Sequence, residues 1–314
     1  MDLHELRVLL TELNKMTDLS LQLLNFKHLK TTGTTYISRE IVLNPDERLV
    51  EHVQSISDLY TSTSKSKLSN YQSIEDYDGT ADRSTIYRIA TDSSLVEIEY
   101  QLMLKAVSLP DQEINVLEFN ANAYIISGNY TIDIDNCKQT KSIKLLSMKK
   151  PFTSFKNKFS IFTNDTFKEI NEKILSLTTD IDVIIYDNYL YMLSLSAETL
   201  FNIERAHKSV CDKSIDLIIN SNLVTNENKF KEIASSGHNP RKFISFNNKR
   251  FEQLNDKDFR PSISETFSIP IVEGKFDTSV DGTSEKIIKL LCNKGMIDPF
   301  EELPVEVYGT KKWT

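Results

Sequence analysis

The segment 180–208 constrains the fold of this chain more than any other stretch. Apolar residues recur at every second position from 181 to 185, and Asp187-Asn188 then supplies two residues that tolerate the positive φ of a tight hairpin turn. The returning segment 189–195 is apolar on both faces, which indicates a strand that is covered on both sides. Ser196 can cap a helix that follows at once. The pattern therefore predicts a β-hairpin whose second strand leads into a helix.

Strand patterns dominate the chain before this hairpin, and helix patterns dominate it afterwards. Short β-rich pieces over 114–147, with turn signals at Ser127-Gly128-Asn129 and Asp135-Asn136, predict a meander of antiparallel strands. Other segments predict helices over 2–15, 44–64, 92–107, 196–219, 226–235, 248–256 and 283–293. Further strands are predicted over 19–23, 35–43, 84–90, 267–272 and 305–308.

These patterns together predict an α+β fold. We expect an N-terminal α+β domain over 1–170, which contains a basic stretch over 136–164. A C-terminal domain over 171–314 then holds the hairpin 181–195 and the later helices. At 314 residues, the chain is long enough for either one large domain or two modest ones.

The sequence offers no membrane-spanning segment and no secretion signal. It contains no run of about 18 apolar residues, and it begins with an acidic rather than a basic segment. We therefore expect a cytoplasmic protein that reaches a membrane only through a partner. Cys137, Cys211 and Cys292 lie far apart, which favours reduced thiols over disulfides or a zinc cluster.

Positive charge is concentrated in two stretches, although the chain as a whole carries a formal charge of −8. The stretch 136–164 contains no acidic residue and is interleaved with phenylalanines at 152, 155, 159 and 162. Its basic residues are seven lysines: Lys138, Lys141, Lys144, Lys149, Lys150, Lys156 and Lys158. The second acid-free stretch, 233–251, contains Arg241, Lys242, Lys249 and Arg250 together with His238.

Each stretch by itself is typical of a solvated face whose phenylalanines lie in the core. Two such stretches in an acidic chain favour a surface that binds a nucleic-acid backbone, and on one face they would form a basic groove. The residues that we expect to contact phosphate are Lys138, Lys141, Lys144, Lys149, Lys150, Arg241, Lys242, Lys249 and Arg250. No segment rich in Arg, Asn and Gln indicates base reading, so binding should tolerate any sequence and depend steeply on salt.

Catalytic motifs are missing from the sequence. It has no phosphate-binding glycine loop and no nucleophile elbow or metalloprotease signature, so we expect neither a cofactor nor catalysis. His207 and Cys211 lie one helical turn apart, which suits a metal pair or, more commonly, helix packing. An alternative is a metal-dependent nuclease, in which two carboxylates and a lysine hold Mg²⁺ and activate water. The candidate sets are Glu273, Lys275 and Asp256 or Asp258, and Asp133, Asp135 and Lys138.

Several segments resemble the family of bacterial proteins that includes KwaB, the subunit of the Kiwa anti-phage defence system that lies outside the membrane. Within 180–208 the resemblance rests on Asp180-Ile181-Asp182-Val183-Ile184, Asn188-Tyr189-Leu190-Tyr191 and Leu200-Phe201-Asn202-Ile203-Glu204. Downstream it rests on Asn239-Pro240-Arg241-Lys242-Phe243 and on 290–313, which contains Lys294-Gly295-Met296-Ile297-Asp298-Pro299.

The resemblance implies a DNA-binding effector that blocks phage replication or transcription. It also implies a small multi-span membrane partner of the KwaA type, which recruits the protein to the inner membrane. The cytoplasmic loops of such a partner should be basic and could meet the acidic stretches 40–58, 75–82 or 298–306. We further expect a homodimer, because a doubled basic surface raises avidity. The third hypothesis is a protein-interaction subunit without catalytic activity, whose basic stretches bind protein or anionic lipid.

Overall fold

A computed structural model describes residues 1–29, 33–41, 47–62, 66–79, 82–113, 119–134, 137–153, 160–163, 166–169, 174–292, 295–297 and 304–306. The chain divides into two compact units. The first comprises Met1–Asp76 and Asp82–Ile203, and the second comprises Tyr77–Ala81 and Glu204–Thr314.

Strands dominate the first unit. In chain order they are β1 (Thr17–Leu29), β2 (Gly33–Ile41), β3 (Ser73–Asp76), β4 (Thr85–Ala90), β5 (Ala123–Ile134), β6 (Cys137–Ser147), β7 (Phe152–Thr153), β8 (Ser160–Thr163), β9 (Thr166–Glu169), β10 (Ile174–Leu175), β11 (Val183–Tyr186) and β12 (Tyr189–Met192). The helices of this unit are α1 (Leu3–Thr11), α2 (Glu47–Thr61), α3 (Glu97–Ser108) and α4 (Ala197–Leu200), with 3-10 turns at Glu12–Lys15 and Lys67–Asn70.

One sheet organises the first unit. Among the described strands it runs in the order β2, β1, β5, β6, β11, β12, β4 and β3, and all neighbours are antiparallel except β3 and β4. The predicted hairpin is confirmed, since β11 pairs with β12 and φ is 51° at Asp187 and 63° at Asn188. These positive values are those of a type I′ turn, whose twist matches that of the flanking strands.

The hairpin is covered on both faces, as its apolar pattern predicts, since all four residues of β11 and the last three of β12 are buried. It lies in the interior of the sheet, between β6 and β4. Helices α1 and α2 bury one face in a core that includes Leu10, Ile56 and Ile184. On the opposite face of the sheet, helix α3 packs on β1 and β2, where the Gln22 side-chain amide donates to the Val107 carbonyl at 2.9 Å and the Ser38 hydroxyl donates to the Ala106 carbonyl at 2.8 Å.

The turn predicted at Ser127-Gly128-Asn129 is wrong, because β5 runs through these residues without a break. Gly128 instead marks a close approach between backbone segments. A Cβ atom there would lie 2.6 Å from Met16 Cε and 3.0 Å from the Thr17 carbonyl oxygen. The turn predicted at Asp135-Asn136 falls outside the described residues, although β5 and β6 pair up to its edges.

The single helix predicted over 196–219 is also wrong, because the chain forms two helices there. Helix α4 ends at Leu200 and the next helix begins at Ile203, since Asn202 adopts a left-handed conformation with φ of 50° that interrupts the hydrogen-bond ladder. Ser196 does not cap α4 with its side chain. Its hydroxyl instead donates to Asp182 Oδ1 at 3.0 Å.

The second unit is mainly helical. Its elements are α5 (Ile203–Asn220), α6 (Glu227–Ala234), α7 (Asn239–Lys242), α8 (Asn248–Asn255), α9 (Arg260–Phe267), α10 (Thr283–Leu291), β13 (Ile271–Val272), β14 (Lys275–Phe276), β15 (Gly295–Ile297) and β16 (Pro304–Glu306). Their core includes Cys211, Phe230, Phe243, Phe276 and Ile288. The segment Tyr77–Ala81 joins this unit although it lies between strands of the first.

Two details of the second unit differ from the sequence-based prediction. Helices α7 and α9 were not predicted, and the strand predicted over 267–272 is wrong for its first part because Phe267 ends α9. Ser268 closes that helix with φ of 50°, and only Ile271–Val272 forms a strand there. At 305–308, strand β16 covers Pro304–Glu306 and the remaining residues lie outside the described part of the chain.

The strand-rich first half, the central hairpin and the helix-rich second half confirm the predicted α+β fold. The predicted domains 1–170 and 171–314 stay a prediction, because compactness is not a measure of independent folding. By contacts the division comes at Ile203, so the hairpin belongs to the first unit. Within the described residues, no helix combines the length and the apolar character needed to cross a bilayer.

Candidate nucleic-acid interface

The lysines of the first basic stretch do not lie on one face. Side chains of a strand alternate between the two faces of its sheet, so Lys141 and Lys144 of β6 project to opposite sides. Lys138 pairs with Asp133 in the strand register, and its side chain lies outside the described residues. The side chains of Lys156, Lys158 and the four phenylalanines of this stretch also fall outside them.

Lys141 is engaged with the hairpin. Its ammonium lies 2.9 Å from Asp187 Oδ1, in the hairpin turn, and 5.4 Å from the centre of the Tyr186 ring. The hydrogen bond to Asp187 raises the pKa of Lys141, so this lysine stays charged over the whole physiological range. Its side chain is only 28% exposed, and a phosphate would have to displace Asp187 to pair with it.

Lys144 is a poor candidate for phosphate contact. It is half-buried between Ser127 of β5 and Ile185 of β11, and its ammonium donates to the Ser142 hydroxyl at 3.1 Å. Burial lowers the pKa of Lys144, because a charged ammonium loses hydration there. This side chain therefore lies within the sheet and contributes little to a basic surface.

Lys149 and Lys150 are the exposed cations of the described part of the first stretch. They follow β6 in a short turn that the hairpin holds in place. The Met148 amide donates to Asp182 Oδ2 at 2.7 Å, and the Ser176 amide donates to the carbonyl oxygen of Pro151 at 2.7 Å. Both lysines thus extend into solvent from an anchored backbone.

The Asp182 carboxylate connects the backbone segments of this region. It is 7% exposed and accepts from Met148 through one oxygen and from the Ser196 hydroxyl through the other. Its own carbonyl accepts from the amides of Leu193 and Ser194, where β12 ends. One buried residue therefore connects the end of β6, the hairpin and the start of α4.

The second basic stretch forms the surface segment from the end of α6 to α8 in the second unit. Three of its cations are half-buried and serve the local structure. Arg241 Nη2 donates to the Tyr77 hydroxyl at 3.4 Å, Lys242 donates to Asn239 Oδ1 at 2.9 Å, and Arg250 Nη1 donates to the carbonyl oxygen of Leu290 at 3.0 Å. The last contact satisfies a carbonyl in the final turn of α10.

Lys249 is the exposed cation of this stretch. It lies in the first turn of α8, whose Asn247 cap accepts from the Arg250 amide at 3.1 Å. The residues from Ser235 to His238 are also exposed, and they carry hydroxyl groups and a glycine without any carboxylate. Of the nine predicted residues, the exposed ones among those whose side chains are described are Lys149, Lys150 and Lys249. Lys149 and Lys150 belong to the first unit and Lys249 to the second.

His207 and Cys211 both lie in packing contacts within the second unit. His207 is 2% exposed, and its Nε2 lies 3.0 Å from the Tyr77 hydroxyl, with the two rings stacked. Burial and the nearby Arg241 lower the pKa of His207 to about 4. Cys211 Sγ donates to the Ala234 carbonyl at 3.5 Å. Among the described residues no group of three His, Cys, Asp or Glu side chains could hold a metal ion.

The alternative nuclease residues are placed as follows. Glu273 occupies the turn between β13 and β14 with φ of 52°, and the Lys275 ammonium donates to Asn222 Oδ1 at 3.2 Å. Asp256 Oδ1 accepts from the backbone amide of Asp258 at 3.0 Å, so this carboxylate stabilises the turn in which it lies. The side chains of Asp133, Asp135 and Lys138 lie outside the described residues.

Sequence reasoning missed a set of tyrosines and cations around the hairpin. Lys141 lies over Tyr186, and the Arg88 guanidinium lies 5.6 Å from the centre of the Tyr189 ring. The available signal was the spacing of Tyr186, Tyr189 and Tyr191, which places all three on one face once the two-residue turn is known.

Fold and site together define a class: a two-unit α+β protein with an acidic overall charge and separate exposed basic segments. The family model described as Kiwa protein KwaB-like matches residues 127–297. The chain therefore belongs to the KwaB-like family, which makes it a subunit of the Kiwa type of anti-phage defence system. The match begins within β5 and so includes the β5–β6 pair that precedes the hairpin. Neither the curated proteins nor the solved structures gave a match.

Proposed function

We propose that this chain is the DNA-binding effector of its defence system. It binds the DNA backbone without marked sequence specificity and obstructs replication or transcription of phage DNA. It performs no catalytic step and needs no cofactor. A membrane-embedded sensor subunit of the KwaA type recruits it to the inner membrane when infection is sensed.

One observation carries the DNA-binding part of this proposal. Lys149, Lys150 and Lys249 are exposed on acid-free segments of a chain whose formal charge is −8. An acidic surface repels a polyanion, so the free energy of binding must come from local positive segments such as these. Lysines bind phosphates as point charges, which gives affinity but no base readout.

The test is a fluorescence-anisotropy titration of labelled duplex DNA at several salt concentrations, with and without Mg²⁺, followed by a gel that checks whether the DNA is intact. If each of the three lysines neutralises one phosphate, they contribute about 2.7 to the slope of log K against log salt. Between about 50 and 200 mM salt that contribution alone weakens binding about 40-fold. Absence of binding at low salt would remove the proposal, and Mg²⁺-dependent cutting would support the nuclease instead.

A matched pair of variants separates local contact from net charge. Replacing Lys149, Lys150 and Lys249 with alanine should lower the salt slope by about 2.7. Replacing Lys213, Lys231 and Lys257 removes the same charge from other exposed positions, outside the acid-free segments, and should leave the slope nearly unchanged. Arg241 and Arg250 are unsuitable, because each donates a hydrogen bond that supports the fold.

The assembly part of the proposal has its own tests. Carboxylates at Glu51 and Asp58 are exposed along α2 and suit the basic cytoplasmic loops of a membrane partner. Replacing both with lysine should therefore reduce co-flotation with vesicles that contain the partner subunit. A homodimer is tested by sedimentation of the isolated protein, and a monomer at micromolar concentration would contradict it. Flotation with anionic vesicles in the absence of DNA binding would favour the interaction-protein alternative.

A further inference from the structure

A band of tyrosines and cations crosses the sheet of the first unit diagonally. Tyr130 of β5 lies opposite Lys141 of β6, and Tyr186 of β11 lies opposite Tyr189 of β12. Arg88 of β4 lies opposite Tyr191, the next residue of β12 on the same face. Directly paired residues of antiparallel strands project to the same side, and Tyr186 also pairs with Ile143, two residues from Lys141, so all these side chains share one face of the sheet. This is the face that α1 and α2 cover, and Tyr186 and Tyr191 belong to its core.

The contacts within the band alternate cation and ring. Lys141 lies 5.4 Å from the centre of the Tyr186 ring, and Arg88 lies 5.6 Å from that of Tyr189. The Tyr189 and Tyr191 rings are 6.2 Å apart with an interplanar angle of 47°. From β5 to β4 the band spans four strand steps, or about 19 Å at 4.8 Å per step.

One ring of the band is open to solvent. Tyr189 is 36% exposed, although its neighbours in the hairpin are buried. Packing does not require an aromatic ring at such a position, whereas a stacking platform does. The Arg88 guanidinium lies over this ring and can itself stack on a base.

The cations of the band can exchange their partners. Arg88 pairs with Asp76, which is 78% exposed, and Lys141 pairs with Asp187, which is 54% exposed. Ion pairs with solvent-exposed carboxylates contribute little free energy, so an incoming phosphate can replace either carboxylate at small cost. The exposed end of the band therefore offers one ring, that of Tyr189, for a base and two cations for the flanking phosphates.

We propose that this band binds single-stranded nucleic acid, with a base stacked on Tyr189 and flanking phosphates at Arg88 and Lys141. This inference rests on the proposed DNA-binding function and names the substrate more closely, because duplex DNA does not present an unstacked base to a ring.

The test compares two labelled probes, a 20-nucleotide oligo-dT and a duplex of the same length, on the full chain. Tyr189→Ala should weaken oligo-dT binding between about fivefold and 150-fold, which corresponds to the loss of one stacked base, and should leave duplex binding unchanged. Tyr189→Phe keeps the ring and should stay within about twofold of the natural protein. An oligo-rU probe then distinguishes RNA from DNA as the source of the single strand.

A second variant keeps the inference testable if Tyr189→Ala proves unstable. Arg88→Gln should lower the salt slope for oligo-dT by about 0.7, the contribution of one phosphate contact on a single strand. If both variants bind oligo-dT like the natural protein while duplex binding depends on Lys149, Lys150 and Lys249, the platform is refuted and the proposed function stands. If the natural protein binds neither probe at low salt, both fail.

Discussion

Replacement of Asp182 tests whether its buried hydrogen bonds hold the turn that carries the exposed Lys149 and Lys150. Its carboxylate is 7% exposed and accepts two hydrogen bonds, from the Met148 amide at 2.7 Å and from the Ser196 hydroxyl at 3.0 Å. A hydrogen bond to a charged group contributes about 1.5–3 kcal/mol, and a buried amide left without a partner costs about 1–3 kcal/mol. Because these contributions overlap, we expect Asp182→Ala to lower the free energy of unfolding by about 3–5 kcal/mol.

The magnitude is large compared with a total stability of about 5–15 kcal/mol for a native protein. Asp182→Asn keeps the shape but presents an NH₂ group to one of the two donors, so we expect a smaller loss of about 1–3 kcal/mol. Urea denaturation followed by circular dichroism measures the loss. Hydrogen exchange of the peptide that contains Met148 localises it, since that amide should lose its protection.

Asp180 supplies the matched control two residues away. Its side chain is 44% exposed and pairs with Lys67 at the surface, so Asp180→Ala should cost less than about 1 kcal/mol. Equal shifts of the urea midpoint for the two alanine variants would refute the reasoning. An unchanged exchange rate at Met148 in Asp182→Ala would do the same.

Three further predictions follow from buried contacts. Gly128→Ala should destabilise the first unit by about 1–3 kcal/mol, because the new Cβ would lie 2.6 Å from Met16 Cε, and the urea midpoint measures this. His207 has a pKa of about 4 when folded and binds its proton near pH 6.5 when unfolded, so stability should fall by up to about 3 kcal/mol as the pH drops through that window. Cys211 and Cys292 are 1% and 0% exposed, so a thiol reagent should modify them only after denaturant is added.

Each of these has a control within the chain. Gly274→Ala meets no atom within 4 Å but adds the strain of a φ of 73°, so its cost reports strain alone and should not depend on truncation of Met16. His207→Gln should show a smaller loss of stability between pH 6.5 and 4 than the natural protein, and equal losses would contradict the assignment. Rapid modification of more than one thiol per native chain would contradict the burial of the cysteines.

Local signals made the hairpin predictable. Asp187 and Asn188 tolerate positive φ, which suits a two-residue turn. The apolar residues on either side of them favour strands, so a β-hairpin satisfies both signals. Apolar spacing predicted the helices near 227 and 283 for the same reason, and Asn226 caps the first of them with its side chain. Gly128 was misinterpreted because a glycine needed for close backbone approach has the same sequence signature as one needed for a turn.

The candidate site was predicted less well, because charge along a chain does not show which way a side chain projects. Lys141 and Lys144 belong to one acid-free stretch, yet strand alternation sends them to opposite faces of the sheet. Arg241 and Arg250 have the composition of a phosphate site, yet each donates to a distant part of the second unit. Only exposure identifies Lys149, Lys150 and Lys249 as the extended cations.

The sequence by itself therefore determined the α+β class, the central hairpin, the separation of strands from helices and the kinship to the KwaB-like family. These depend on backbone preferences and periodicity within a few residues of one another. Tertiary structure alone decided that β6 and β4 flank the hairpin, that Asp182 joins three elements and that Arg88 lies over Tyr189. Such pairings join residues up to about a hundred positions apart. Many strands of similar apolar pattern could pair with the hairpin, and only the complete sheet selects β6 and β4.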